Sequence, residues 1–102
     1  MHLVQVLLPI YDNDGEAFEQ AVYLNLKTIF TEKFGGVTAY VSSPAEGAWQ
    51  GPSGAKRHDQ IVVFEVMTMH LDRGWWRRMR SELARTFRQE QLVIRTNPIE
   101  IL

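Results

Sequence analysis

Residues 61 to 70 read IVVFEVMTMH, and the fold follows from how these ten side chains divide between two faces. Side chains along a strand alternate, so Val62, Phe64 and Val66 share one face while Val63, Glu65, Met67 and Met69 share the other. The first set is wholly apolar. The second carries a single carboxylate at its centre. Burying an ionised carboxylate without a partner costs several kcal/mol or forces it to take up a proton. Glu65 is therefore expected either to have a partner or to face a cavity.

Working outward, the same alternation recurs in Leu3 to Leu8, in Val37 to Ser42 and in Leu92 to Thr96, which predicts three further strands. Pro9 and the turn-rich Asp12-Asn13-Asp14-Gly15 end the first, and Pro98 limits the last. Between the first two strands, Phe18, Val22, Leu26, Ile29, Phe30 and Phe34 recur at helical spacing. Asp14 or a neighbour is expected to cap this helix, Glu16 and Glu19 suit its positive end, and Gly35-Gly36 stop it. Asp72 predicts the start of a second helix with the stripe Trp76, Met79, Leu83, Thr86 and Phe87, running to about Gln89. The polar excursion Ala45 to Gln60, with Gly51-Pro52-Ser53-Gly54 at its tip, reads as an extended arm between the second and third strands.

Strand–helix–strand–strand–helix–strand, within one domain spanning residues 1–102, is the order of the ferredoxin-like α+β sandwich. An antiparallel sheet with order 4-1-3-2 and both helices on one face is expected. The helix-covered face takes Val4, Val6, Leu8, Val37, Ala39, Val41, Val62, Phe64, Val66, Leu92 and Ile94. The opposite face mixes Leu3, Leu7, Val63, Met67 and Met69 with Gln5, Tyr40, Glu65 and Arg95. So apolar a surface is expected to be covered, most simply by a second copy packing sheet to sheet as a homodimer of the dimeric α+β barrel kind. A hairpin tip at Gly51 to Gly54 sets Tyr40 opposite Glu65 and Thr38 opposite Met67, which keeps the mixed residues of both strands together.

Composition closes off several classes of function. Of 102 residues 45% are hydrophobic, enough for one compact core. Eleven Lys plus Arg balance twelve Asp plus Glu, so no global field favours nucleic acid or an anionic membrane. The absence of cysteine excludes disulfides, thiolate metal sites, iron–sulfur clusters and a thiol nucleophile. The opening MHLVQVLLPIYDND lacks a basic flank and a cleavage pattern, and its apolar run is far short of the ~20 residues of a membrane span. A cytoplasmic location is expected.

The segments FGGVTAY (34–40), PAEGAWQ (44–50), DQIVVFEVM (59–67), DRGWWRRMRSEL (72–83) and QLVIRTN (91–97) resemble a group of short uncharacterised bacterial proteins over nearly the whole chain. That resemblance implies no activity, cofactor or metal. The topology is similar to that of the dimeric α+β barrel superfamily, which spans cofactor-free monooxygenases, lyases and proteins without assigned chemistry. Function does not follow from such a likeness.

The candidate constellation is Glu65 with Gln5, Tyr40 and Arg95. Desolvated among Val63, Met67 and Met69, the Glu65 carboxyl would be pushed up and could act as a general base, with Tyr40 and Arg95 holding an anionic or enolic substrate. The same residues also suit a structural network in which Glu65 accepts the Tyr40 hydroxyl and pairs with Arg95. Trp49, in the arm, suits a partner-subunit anchor or a stacking residue, and His58 at its foot is the histidine best placed for chemistry. His2, His58 and His70 have no metal-ligand spacing, so no metal site is expected. Arg73, Arg77, Arg78, Arg80, Arg85 and Arg88 make the second helix strongly basic. They read as a solvated face with the acidic run Asp12, Asp14, Glu16 and Glu19 as partner, not as a nucleic-acid surface. Two functions remain: a small-molecule enzyme or binding module with its pocket on the mixed face, or a non-catalytic dimerisation or regulatory domain. An enclosed cavity of ~300 Å³ or more around Glu65 favours the first, and dry packing the second.

Overall fold

The computed structural model describes residues 1–42 and 60–102. Six elements follow one another: β1 (His2–Pro9), α1 (Gln20–Phe34), β2 (Thr38–Ser42), β3 (Ile61–Thr68), α2 (Arg73–Thr86) and β4 (Ile94–Pro98). The strands form one four-stranded antiparallel sheet in the order β2-β3-β1-β4, an α+β arrangement compatible with a ferredoxin-like sandwich.

The alternation of β1 positions the core. Val4, Val6 and Leu8 are 1, 0 and 0% exposed, whereas Leu3, Gln5 and Leu7 between them are half-buried. Phe64 and Val66 of β3 join the buried set, and both helices close over it with Leu26, Phe30, Trp76, Met79 and Leu83. Phe30 is the hub. Its ring centroid lies 5.6 Å from that of Trp76 and 6.2 Å from that of Phe64. Phe34 stacks on Trp76 at 5.3 Å, and Trp75 meets Trp76 edge-on at 4.8 Å. Such pairs add ~0.5–1.5 kcal/mol each to plain burial. Two members of the expected stripes differ in place. Thr86 is exposed, and Phe87, fully buried, caps α2 rather than lying within it.

Local chemistry sets the helix ends. Asp72 Oδ1 accepts the Trp75 N–H at 3.0 Å and caps α2, as the sequence predicts. At the end of α1, Gly35 takes φ 82° and donates to the Thr31 carbonyl at 2.9 Å, a left-handed closure that strains any residue with a Cβ. The start of α1 departs from expectation, because its cap is Glu19 with no side-chain bond and Phe18 lies ahead of the helix. Phe18 instead donates its N–H to the Ile10 carbonyl and sets its ring 4.9 Å from Phe87. The aspartates upstream are used for a turn. Asp12 Oδ1 accepts the N–H groups of Asp14 and Glu16 at 2.8 and 2.9 Å, so the competing backbone donors pull the chain away from helix.

That turn anchors the far end of α2. Arg88 has φ 52°, a left-handed conformation costing ~1–2 kcal/mol in a residue other than glycine. Its guanidinium donates to Asp12 Oδ2 at 3.1 Å and lies 5.7 Å from the centre of the Phe18 ring. Glu16 was not needed as a charge at the helix start; its N–H, more than any other group, holds the Asp12 carboxyl below the usual carboxylate range, with Asp14 and Arg88 assisting.

Two strand expectations are corrected. β4 runs Ile94–Pro98 rather than Leu92–Thr96, since Leu92 sinks into the helix-covered core and the ladder begins where Ile94 meets Val6. Pro98 ends an edge strand, where a missing N–H is tolerated. In the β2–β3 pair Thr38 lies opposite Glu65 and Tyr40 opposite Val63, two residues from the register expected. A two-residue slip preserves every face, so parity alone could not detect it. Among the described residues no helix is long and apolar enough to cross a membrane.

Two measurements check this account of the core and turn. Phe30→Ala should cost ~3–5 kcal/mol in urea unfolding, and a loss under 1 kcal/mol would remove Phe30 from the hub. The depressed Asp12 carboxyl should stabilise the fold fully above its unfolded range of about 3.9, with the contribution lost as pH falls through its lower folded value. The melting temperatures of the parent and Asp12→Ala should therefore differ at neutral pH and converge in acid.

Candidate functional site

Backbone pairing lines up the site before any side-chain contact is considered. Gln5 in β1 is the cross-strand partner of Glu65 on one side and of Arg95 on the other. These three residues form a row across strands spaced ~4.8 Å apart. Tyr40 pairs with Val63, which places it diagonally from Glu65 on the same face.

The side chains complete the row. Gln5 Nε2 donates to Glu65 Oε2 at 2.6 Å, and Tyr40 Oη donates to the same oxygen at 3.1 Å. Arg95 Nε donates to Gln5 Oε1 at 2.8 Å. One chain of hydrogen bonds, Tyr40–Glu65–Gln5–Arg95, thus spans all four strands. The amide of Gln5 is oriented by its neighbours, with its oxygen toward the cation and its nitrogen toward the carboxylate. The structure therefore brings Glu65, Tyr40, Gln5 and Arg95 together. The direct Glu65–Arg95 ion pair expected of a structural network is replaced by a relay through Gln5.

Burial is shallower than the sequence implies. Glu65 is half-buried, because the helices cover only the other face and the mixed face lies open in the single chain. Tyr40, Met67, Met69 and Val93 are 42, 52, 64 and 49% exposed there. Val63, flanked by its partners Leu7 and Tyr40, is the one residue of this face among the described set that is fully covered. Partial desolvation raises the Tyr40 pKa, and the hydrogen bond and charge of Glu65 push it the same way, against smaller lowering effects of Gln5 and Arg95.

Beside this row β2 stops short. Its ladder with β3 ends at Thr38, and the chain turns away through Gly35 and Gly36, which leaves a solvent-open groove of about 490 Å³ lined by Leu3, Thr38, Glu65 and Met67. The volume suits a small ligand, while the enclosure expected of a pocket is missing from the single chain. Both donors to Glu65, from Gln5 and Tyr40, reach Oε2. The row can thus offer the Glu65 carboxylate as an acceptor to a group in the groove and present a guanidinium at its other end.

Trp49 and His58 lie outside the described residues, as does the tip of the arm. His2 is half-buried in β1 with its Nδ1 buried and unpartnered, and His70 is exposed. Among the described residues no three His, Asp or Glu side chains converge as metal ligands. Comparison with protein-family models, curated proteins and solved structures finds no match.

The relay has an energetic signature. In double-mutant cycles by urea unfolding, Gln5→Leu should couple to Glu65→Gln by ~0.5–3 kcal/mol, and more strongly than Arg95→Met does. Stronger coupling of Glu65 to Arg95 than to Gln5 would contradict the relay. Spectrophotometric titration should find Tyr40 above the usual tyrosine value, and Glu65→Gln should lower it only in part, since desolvation is the leading cause.

Proposed function

We propose that the chain is a ferredoxin-like domain that forms a homodimer through its mixed sheet face and binds a small molecule between the two sheets. The observation that carries this reading is the polar row Tyr40–Glu65–Gln5–Arg95 set among Met67, Met69, Val93 and Leu3 on a face that the chain's own helices leave bare. An apolar surface with one ordered polar line through it is the usual composition of a ligand site, in which a few groups orient what the apolar remainder desolvates. A second sheet laid over the first would turn the open groove at Glu65 into an enclosed space. An isologous contact of this kind needs ~800 Å² per partner for stable association. In the enclosed state Glu65 is the group able to accept a proton or hydrogen bond from a ligand, with Tyr40 and Arg95 orienting it.

A second reading is favoured by one specific observation. Glu65 already receives two donors within the chain, so the row can also serve as a satisfied polar stripe that fixes the register of a non-catalytic dimerisation or regulatory domain.

Light scattering at micromolar concentration should give twice the chain mass, and Met67→Asp with Val93→Asp should give the monomer. A monomeric parent would overturn the dimer. Native mass spectrometry of the gently purified dimer should show a small-molecule adduct that Glu65→Leu abolishes. An intact dimer with no adduct would favour the second reading.

A further inference from the structure

A second depression lies away from the sheet-face row, between the first turns of α2 and the edge strand β4. It has a volume of about 210 Å³, and it is lined by Arg73, Arg77 and Arg80 from the helix and by Ile94, Arg95 and Thr96 from the strand. Trp76 and Ile94 contribute to its apolar floor, and no acidic side chain lines it. The spacing explains the convergence. Residues i, i+4 and i+7 share one side of a helix, so Arg73, Arg77 and Arg80 form a stripe beside the buried Trp76-Met79-Leu83 ridge. Arg78 and Arg85 project from the other side.

Charge balance within the described residues makes this depression unlike an ordinary solvated face. Arg73, Arg77 and Arg80 have no ion pair there, whereas Arg88 is matched with Asp12. Asp72, the nearest acid in sequence, gives its Oδ1 to the Trp75 N–H and lines a different depression with Lys33 and His70. The Arg95 side chain lies on the opposite face of the sheet, with its Nε donating to Gln5, so the charge of the cavity comes from the helix. Like charges gathered around an apolar floor raise the local potential, and an anion placed among them relieves that repulsion. Planar guanidinium forks match phosphate and carboxylate oxygens two at a time.

We infer that this cavity binds a compact organic polyanion, carrying phosphate or several carboxylates, with its charged end among Arg73, Arg77 and Arg80 and its apolar part against Trp76 and Ile94. The size favours a small molecule over nucleic acid, which needs an extended basic track with stacking surfaces. This site stands independently of the reading of the sheet face.

The test uses the full chain with inorganic pyrophosphate and citrate as separate probes at ~150 mM salt. Calorimetry should show one saturable site per chain for at least one probe, with the tighter probe assigning phosphate or carboxylate chemistry. In the NMR spectrum the Trp76 indole N–H should shift on addition. Arg77→Gln combined with Arg80→Gln should weaken binding roughly tenfold or more, while Arg78→Gln combined with Arg85→Gln, which removes the same charge from the other side of the helix, should leave it unchanged. Absence of saturable binding for both probes would overturn the proposal, as would equal losses in the two double variants. Tighter binding of a labelled single-stranded oligonucleotide than of either probe would also overturn it and assign the arginines to nucleic acid.

Discussion

A sheet has two faces, and two helices can cover only one of them; every other feature of this protein follows from which face they take. The alternation of β1 decides it. Val4, Val6 and Leu8 are driven under α1 and α2, and each buried side chain of this type contributes ~1.5–3 kcal/mol relative to exposure. The same choice obliges Leu3, Gln5 and Leu7 to face outward, together with Glu65 and Met67 from β3. The polar row is thus a consequence of the core. Sliding β1 against β3 by one residue would bring Gln5 under the helices and destroy both at once.

Within the outward face, β1 is the middle of the constellation as well as of the ladder. Gln5 is paired with Glu65 and Arg95 simultaneously, so its carboxamide separates an anion from a cation that would otherwise seek direct contact. A carboxylate held by neutral donors, with a guanidinium one residue further on, can still act as an acceptor to a group in the groove. A direct Glu65–Arg95 pair would occupy both charges. The relay therefore suits a face that meets a ligand.

Much of this was legible from residue order. Asp72 as a cap, Gly35 as a stop, the two faces of β1 and β3 and the grouping of Gln5, Tyr40, Glu65 and Arg95 all rest on local rules that the chain obeys, whereas Val41, expected under the helices, is 61% exposed on the edge strand β2. The β2–β3 register lies two residues from the one that a hairpin tip at Gly51 to Gly54 predicts, because alternation has a period of two and is blind to such a shift. Tyr40 still reaches Glu65 because its long side chain bridges the diagonal. Phe18 shows a different limit. It fits helical spacing, yet Asp12 captures the backbone donors of Asp14 and Glu16 and delays the helix to Gln20. The stripe Arg73-Arg77-Arg80 is legible in its i, i+4, i+7 spacing, but the depression beside it depends on β4 lying alongside α2, which only the tertiary fold supplies.

The central claim is that a second copy covers the bare face over the polar row. The most direct measurement is an isotope-filtered nuclear Overhauser experiment on a sample that mixes methionine-methyl-labelled and unlabelled chains. Cross-peaks between the Met67 methyl of one chain and Leu3 or Val93 protons of the other are the expected result. A Met67 methyl that shows only contacts within its own chain and is broadened by a soluble paramagnetic probe would contradict the account.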